Sequence, residues 1–178
     1  MQEKNTVNSL SKNDASKETI ILGVDPGYAI VGLGIISVKG NSLSPIFYSH
    51  ISTSARQSFV DRLKIINIEL KELIEKYSPN IVAIEKIFFS KNKKTAINVA
   101  QARGAILQEC INAKCEIFEY TPIEVKLALT GYGGAVKSQI QQMVKNILGL
   151  KIIPKPDDTA DALAIAICHN NSVKIKNL

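Results

Sequence analysis

Four carboxylates in this chain stand where an acid can do chemistry. Asp25 closes the apolar run 19–24 (TIILGV) and is followed by Pro26-Gly27, which turn the chain. Glu85 closes a second apolar run, 81–84 (IVAI). Asp158 and Asp161 lie three positions apart at the head of DDTADALAIAICH, so on a helix they share a face. A helix N-terminus also tolerates negative charge. Four carboxylates cannot converge without a counter-charge, because each raises the pKa of the others. Hard oxygen donors suit Mg²⁺ or Mn²⁺. Two such ions can activate a water and steady the leaving oxygen during in-line attack on a phosphodiester. Each acid also has a plainer reading. Asp25 can be a turn residue, Glu85 a solvated strand end, Asp158 a helix cap and Asp161 an exposed helical acid. Asp157 suits the capping role, and Asp161 is the only charge between Asp158 and His169. Their joint placement favours a site.

Basic residues follow Glu85 directly. From Lys86 to Gln108 the charged residues are Lys86, Lys91, Lys93, Lys94 and Arg103, with no acid among them. This is the composition of a phosphate-binding surface beside a metal site, although any one lysine taken singly is better read as an ordinary solvated residue. Phe88 and Phe89 sit in the same segment; adjacent aromatics there either stack on unpaired bases or pack into the core. Phe88 is assigned to stacking and Phe89 to packing. Lys126 and Lys137 flank the glycine-rich turn Gly131–Gly134. Both can touch a bound strand, and Lys137 can stabilise charge developing on a reacting phosphate.

Positioning these groups requires an α/β domain. Residues 19–24, 31–38 and 42–51 read as three strands with short connections, an antiparallel meander. Phe59, Leu63, Ile66, Leu70, Leu73 and Tyr77 then recur at helical spacing, and Ser78-Pro79 stops that helix. A strand at 81–84, reached through a crossover helix, is expected to be parallel to one already in the sheet. Residues 94–112 read as a helix whose Ala96, Ala100 and Gly104 leave one face nearly bare. That face suits either a second helix across a dimer interface or close packing on its own sheet. A fifth strand at 116–120 follows. Thr121-Pro122-Ile123-Glu124 has the spacing of a capping box. An amphipathic helix carries Val136, Ile140, Met143 and Ile147, and a last helix starts near Asp157. The expected layout is a five-stranded mixed sheet, three antiparallel strands then parallel ones, flanked by helices. Parallel strands ending at Asp25 and Glu85 would bring both acids to one end of the sheet.

The bulk properties agree. A chain of 178 residues, 46% hydrophobic, can build one full core. Its net charge of +6 suits an anionic partner. Three cysteines without a CxxC spacing form neither a disulfide framework nor a zinc site, which points to a reducing compartment. Residues 1–18 are polar, read as a disordered leader without an export signal; 19–172 form the domain, and 173–178 a short basic tail. No stretch is long enough to span a bilayer, so a cytoplasmic location is expected.

The segments ILGVDPGYAIVGLGII, IVAIEKIFFSKN, AINVAQARGAI, FEYTPIEVK, AVKSQIQQMV and DDTADALAIAICH together resemble the RuvC Holliday junction resolvases, in order from Ile20 to His169. The resemblance implies a ribonuclease-H-like fold and a homodimer. It implies Mg²⁺-dependent endonuclease action on four-way DNA junctions, by symmetric nicks in two strands of like polarity, in recombination and repair. One or two ions per subunit are expected, with Mn²⁺ able to substitute. It puts the four catalytic, metal-holding acids on Asp25, Glu85, Asp158 and Asp161, the base-engaging aromatic on Phe88, and functional lysines on Lys126 and Lys137. It also implies the RuvA–RuvB branch-migration complex as a partner. Lys91, Lys93, Lys94 and Arg103 are expected to join in DNA binding. The family often has a small hydroxyl residue and then a basic one after DPG, where this chain has Tyr28 and Ala29. Lys91 or Lys93 would then supply the missing phosphate contact. Three rivals are a nuclease of the same fold acting on RNA or other DNA, an actin-like ATPase fragment, and an inactive nucleic-acid-binding module. The ATPase needs two domains around a nucleotide. The inactive module would hold acids that repel the phosphate backbone.

Overall fold

The structure, a computed structural model, describes residues 18–86 and 93–176. Strands β1 (Thr19–Asp25), β2 (Ile30–Lys39) and β3 (Ser42–Ser52) form the expected meander. Helix α1 (Phe59–Tyr77) then crosses to β4 (Ile81–Glu85), and α2 (Lys93–Asn112) leads to β5 (Glu116–Tyr120). Helices α3 (Pro122–Thr130), α4 (Lys137–Ile147) and α5 (Asp157–Lys176) complete the chain. The sheet order is β3-β2-β1-β4-β5, with β4 parallel to both β1 and β5. This is a ribonuclease-H-like arrangement with helices on both faces.

Alternation along the strands feeds two cores. Leu22, Val24, Leu33, Ile35, Val82 and Ile84 pack against α1 and α2, which contribute Ile66, Leu70, Ala102, Ile106 and Cys110. On the other face Ile21, Ile36 and Ala83 meet α5 through Leu163 and its neighbours, with α3 and α4 outside. The α5 run from Ala162 to Cys168 is wholly buried, so it has no polar side, unlike an amphipathic surface helix.

Helix α5 reaches the sheet because glycine makes room for it. Gly23 of β1 pairs with Gly34 of β2. A Cβ on Gly23 would stand 2.0 Å from the Ala162 carbonyl oxygen and 2.9 Å from the Ala166 nitrogen. On Gly32 it would stand 2.0 Å from the Asp158 carbonyl oxygen.

Local signals behave as read at most boundaries. Thr121 and Glu124 form a reciprocal capping box with Pro122 in the first turn of α3, and Gly131 closes that helix with φ 72°. Three readings change. Val136 is the N-cap of α4 and 57% exposed, not a member of its apolar face. Helix α5 continues through Lys176, past residue 172, where the domain was expected to end, so 173–176 are helix rather than tail. On α2 the sheet-facing side is Ala102, Ile106 and Cys110, while Ala100 and Gly104 are exposed and a Cβ on Gly104 would meet nothing within 4 Å. The bare face therefore does not pack on its own sheet. The leader, residues 1–17, lies outside the described residues.

Gly23→Ala must push α5 off the sheet, since its new methyl meets main chain rather than a side chain that can rotate. A loss of about 1–3 kcal/mol in unfolding free energy is expected, as for other overpacked cores. A shifted urea midpoint at constant m-value would measure it.

Candidate active site

Asp25 and Glu85 are brought together by strand order. Val24 is in register with Ile84 across the parallel β1–β4 pair, so the next residues, Asp25 and Glu85, end neighbouring strands at the same edge. Asp25 also faces Gly32 of β2. Because Gly32 admits the Asp158 main chain so closely, the first turn of α5 sits beside Asp25, and Asp161 follows one turn later.

Proximity and partial burial set the electrostatics of these acids. Asp25 is pushed up to about 8, chiefly by burial and then by the charges of Glu85, Asp161 and Asp158, with Lys137 opposing. Glu85 is raised to about 7 by burial and by Asp161, again against Lys137. Burial likewise raises Asp161, which Lys137 counters through a hydrogen bond and its charge. Lys137 Nζ lies 2.9 Å from Asp161 Oδ2 and 3.6 Å from Asp157 Oδ2. Burial alone would lower this lysine, but its bond and attraction to Asp161, with Asp157 and Asp158, raise it. Lys137 and Lys126 line one cleft with Glu85 and Asp161, floored by Val125, Ile140 and Ile165.

Among the described residues, no three acid, histidine or cysteine side chains stand close enough together to hold a metal ion as placed. The donor set nonetheless fits a hard divalent cation. It is all carboxylate oxygen, it is partly buried, and among the described residues Lys137 is the cation paired with it. A cation held by Asp25, Glu85, Asp158 and Asp161 would share with Lys137 the role of counter-charge.

Asp157 differs from expectation. It opens α5, and its carboxylate pairs with Lys155 Nζ at 2.8 Å as well as with Lys137. Arg103 differs more. Its guanidinium turns inward, to the Glu85 carbonyl oxygen and the Glu119 carboxylate, rather than presenting itself to a DNA backbone. Phe88, Phe89 and Lys91 lie outside the described residues, and Lys93 and Lys94 open α2.

The family profile described as crossover junction endodeoxyribonuclease RuvC matches residues 21–169. The chain belongs to the RuvC family. It is 55% identical to the RuvC of Halothermothrix orenii over 156 residues, 88% of this chain and 94% of that protein. The RuvC of Ruminiclostridium cellulolyticum is 51% identical, over 86% of this chain and 92% of that protein. Among solved structures, Thermus thermophilus RuvC superposes with a TM-score of 0.83 at 34% identity, covering 89% of this chain and 97% of that one. The same protein in complex with Holliday junction substrate gives 0.84 at 34% identity, covering 89% and 96%. RuvC enzymes are metal-dependent nucleases acting on crossover junctions, and this chain is one of them.

The departure at Tyr28 has a structural partner that no motif signalled. Arg62 of α1 lies over the Tyr28 ring, 4.3 Å from its centroid. Its Nε donates to Thr53 Oγ1 at 2.8 Å, and Thr53 Oγ1 donates to the Tyr28 carbonyl oxygen at 2.6 Å. The turn after Asp25 is thus anchored from the α1 side. Arg62 and Thr53 are distant in sequence from the DPG turn, so only the fold joins them.

Asp25 has a folded pKa of about 8 against 3.8 for an ordinary aspartate. A carboxyl raised on folding favours the fold fully below its unfolded value, and that advantage is lost as pH rises through the folded value. In metal-free protein, the Tm of Asp25→Asn relative to wild type should therefore climb as pH rises from 3.8 to about 8. Adding Mg²⁺ should shrink the difference. Parallel Tm profiles for the two proteins would contradict the assignment.

Proposed function

We propose that the chain resolves four-way DNA junctions by paired symmetric nicks in strands of like polarity, with Asp25, Glu85, Asp158 and Asp161 as catalytic acids. The observation that supports this most is the meeting of two parallel strand ends with the first turns of α5, which gathers partly buried acids near Lys137. These four residues would hold Mg²⁺, or Mn²⁺ in its place, as one or two ions per subunit. When bound, the metal lowers the pKa of a water and neutralises charge on the phosphate. Lys137, close to Asp161 and within the cleft, stabilises charge developing on the scissile phosphate. Lys126, on the same cleft, contacts the DNA backbone, and Lys91, Lys93 and Lys94 join it in DNA binding. Phe88 follows Glu85 by three residues and stacks on a base exposed at the crossover point.

The enzyme works as a homodimer in this reading, since two roughly symmetric nicks need two sites. The exposed α2 face supports it. Ile97 is 68% and Ile111 57% exposed, and Ala100 and Gly104 between them let a second helix approach closely. The RuvA–RuvB branch-migration complex is the expected partner in the cell, and the cytoplasm the expected location. No helix among the described residues is long and apolar enough to cross a membrane.

Two experiments test the proposal. With Mg²⁺, a four-way junction should receive paired nicks while a linear duplex and an RNA–DNA hybrid stay intact; equal cutting of the duplex would defeat the junction reading. Asp25→Asn should abolish cutting while junction binding persists. For the dimer, a Cβ at Gly104 meets nothing within 4 Å among the described residues, and Gly104→Leu should leave a folded monomer by sedimentation. A normal dimer would place the interface elsewhere.

A further inference from the structure

Arg103 makes two contacts that bear on the site without entering it. Its Nε donates to the Glu85 carbonyl oxygen at 3.1 Å, and its Nη2 pairs with the Glu119 carboxylate of β5. The side chain is 16% exposed, so these bonds are largely shielded from water. Glu85 is the last residue of β4. The ladder to β5 ends there, with the Lys86 N–H donating to the Tyr120 carbonyl oxygen at 2.8 Å. The peptide joining Glu85 to Lys86 is therefore held at both poles, its N–H by β5 and its C=O by Arg103.

We propose that Arg103 is a positioning residue for junction cleavage: it fixes the Glu85 main chain, and with it the direction of the Glu85 carboxylate, while Glu119 holds the guanidinium in place. The inference rests on Glu85 being a catalytic acid. Among the described residues the ladder to β5 ends at this peptide, and Arg103 adds the second point that fixes its orientation. A peptide pinned at both its N–H and its C=O limits rocking of the Glu85 Cα between its two flanking peptides, and with it the direction of the Cα–Cβ bond. Misplacement of a reacting group by about 1 Å costs on the order of 100-fold in rate. Arginine suits the task because its planar fork bonds two acceptors in fixed geometry, which the single ammonium of lysine does not. Arg103 also lies on α2 next to Gly104, so it ties the exposed face of that helix to the catalytic strand.

The test compares Arg103→Met, Arg103→Lys, Glu119→Gln and Glu85→Gln on a four-way junction with Mg²⁺, measuring junction Kd, single-turnover rate at saturating enzyme, and Tm. Both Arg103 variants should lose about 10–100-fold in saturated rate, as for other groups that orient metal-site residues. Kd should stay within about twofold of wild type if no phosphate contact is removed. Glu119→Gln, which leaves the bond to Glu85 in place, should lose less. Arg103→Lys keeps the charge opposite Glu119 and carries the test if Arg103→Met does not fold. A weakened Kd with unchanged saturated rate and a salt slope reduced by about one would make Arg103 a DNA contact instead. A lowered Tm with normal rate and Kd would make it purely structural. A Glu119→Gln loss equal to that of Arg103→Met would assign the effect to the ion pair. Glu85→Gln separates the two readings: if it cuts normally, the catalytic assignment itself fails, whereas an inactive Glu85→Gln beside fully active Arg103 variants overturns only the positioning role.

Discussion

Carboxylates at the crossing of α5 over the sheet repel one another, and much of the molecule is arranged around keeping them together. Burial raises Asp25, Glu85 and Asp161, and each one's charge adds to the cost of ionising its neighbours. The fold sustains this because its apolar cores supply the stability that the site withdraws. Lys137 offsets part of the repulsion. A divalent cation held by these acids would offset more, because it would bring two charges to partly buried donors. A site that is costly when metal-free is one that a hard cation stabilises strongly.

The same constraint explains the glycines. Acids on separate elements can approach only if the main chains that carry them approach first. Gly32 opposite Asp25 lets the start of α5 rest on β2, and Gly23 lets the next turn of that helix rest on β1. Larger residues at either position would lift the helix and carry Asp158 and Asp161 away from Asp25. The buried, charge-free run after Asp161 has the complementary role of anchoring the helix in the core so that its polar first turn is held at the sheet's edge.

The two faces of the sheet divide the work. On the α5 side lie two acids and Lys137. On the α1 and α2 side, arginines brace main chain from behind: Arg62 through Thr53 and Tyr28 at the turn after Asp25, and Arg103 at the end of β4. Arginine serves both places because its donors can satisfy a carbonyl or hydroxyl oxygen while its flat face or second nitrogen engages another group. Arg103, one of the basic residues expected to meet DNA, is engaged here by the Glu85 carbonyl and the Glu119 carboxylate.

Much of this was legible in the chain itself. Strand runs ending in Asp25 and Glu85, the three-residue spacing of Asp158 and Asp161, the capping box at Thr121 and the meander followed by parallel strands are all local or short-period patterns, which sequence records directly. Residue identity also determined which metal chemistry the acids favour. Tertiary structure decided what depends on distance across the fold. It gave Asp157 an ion pair with Lys137, turned Arg103 away from solvent, freed the Gly104 face of α2 and carried α5 through residues 173–176. A charged side chain has no periodicity that says which way it points. Its partner is whichever opposite charge or carbonyl the packing brings within about 3 Å, and that is set only when helices and sheet have closed on one another.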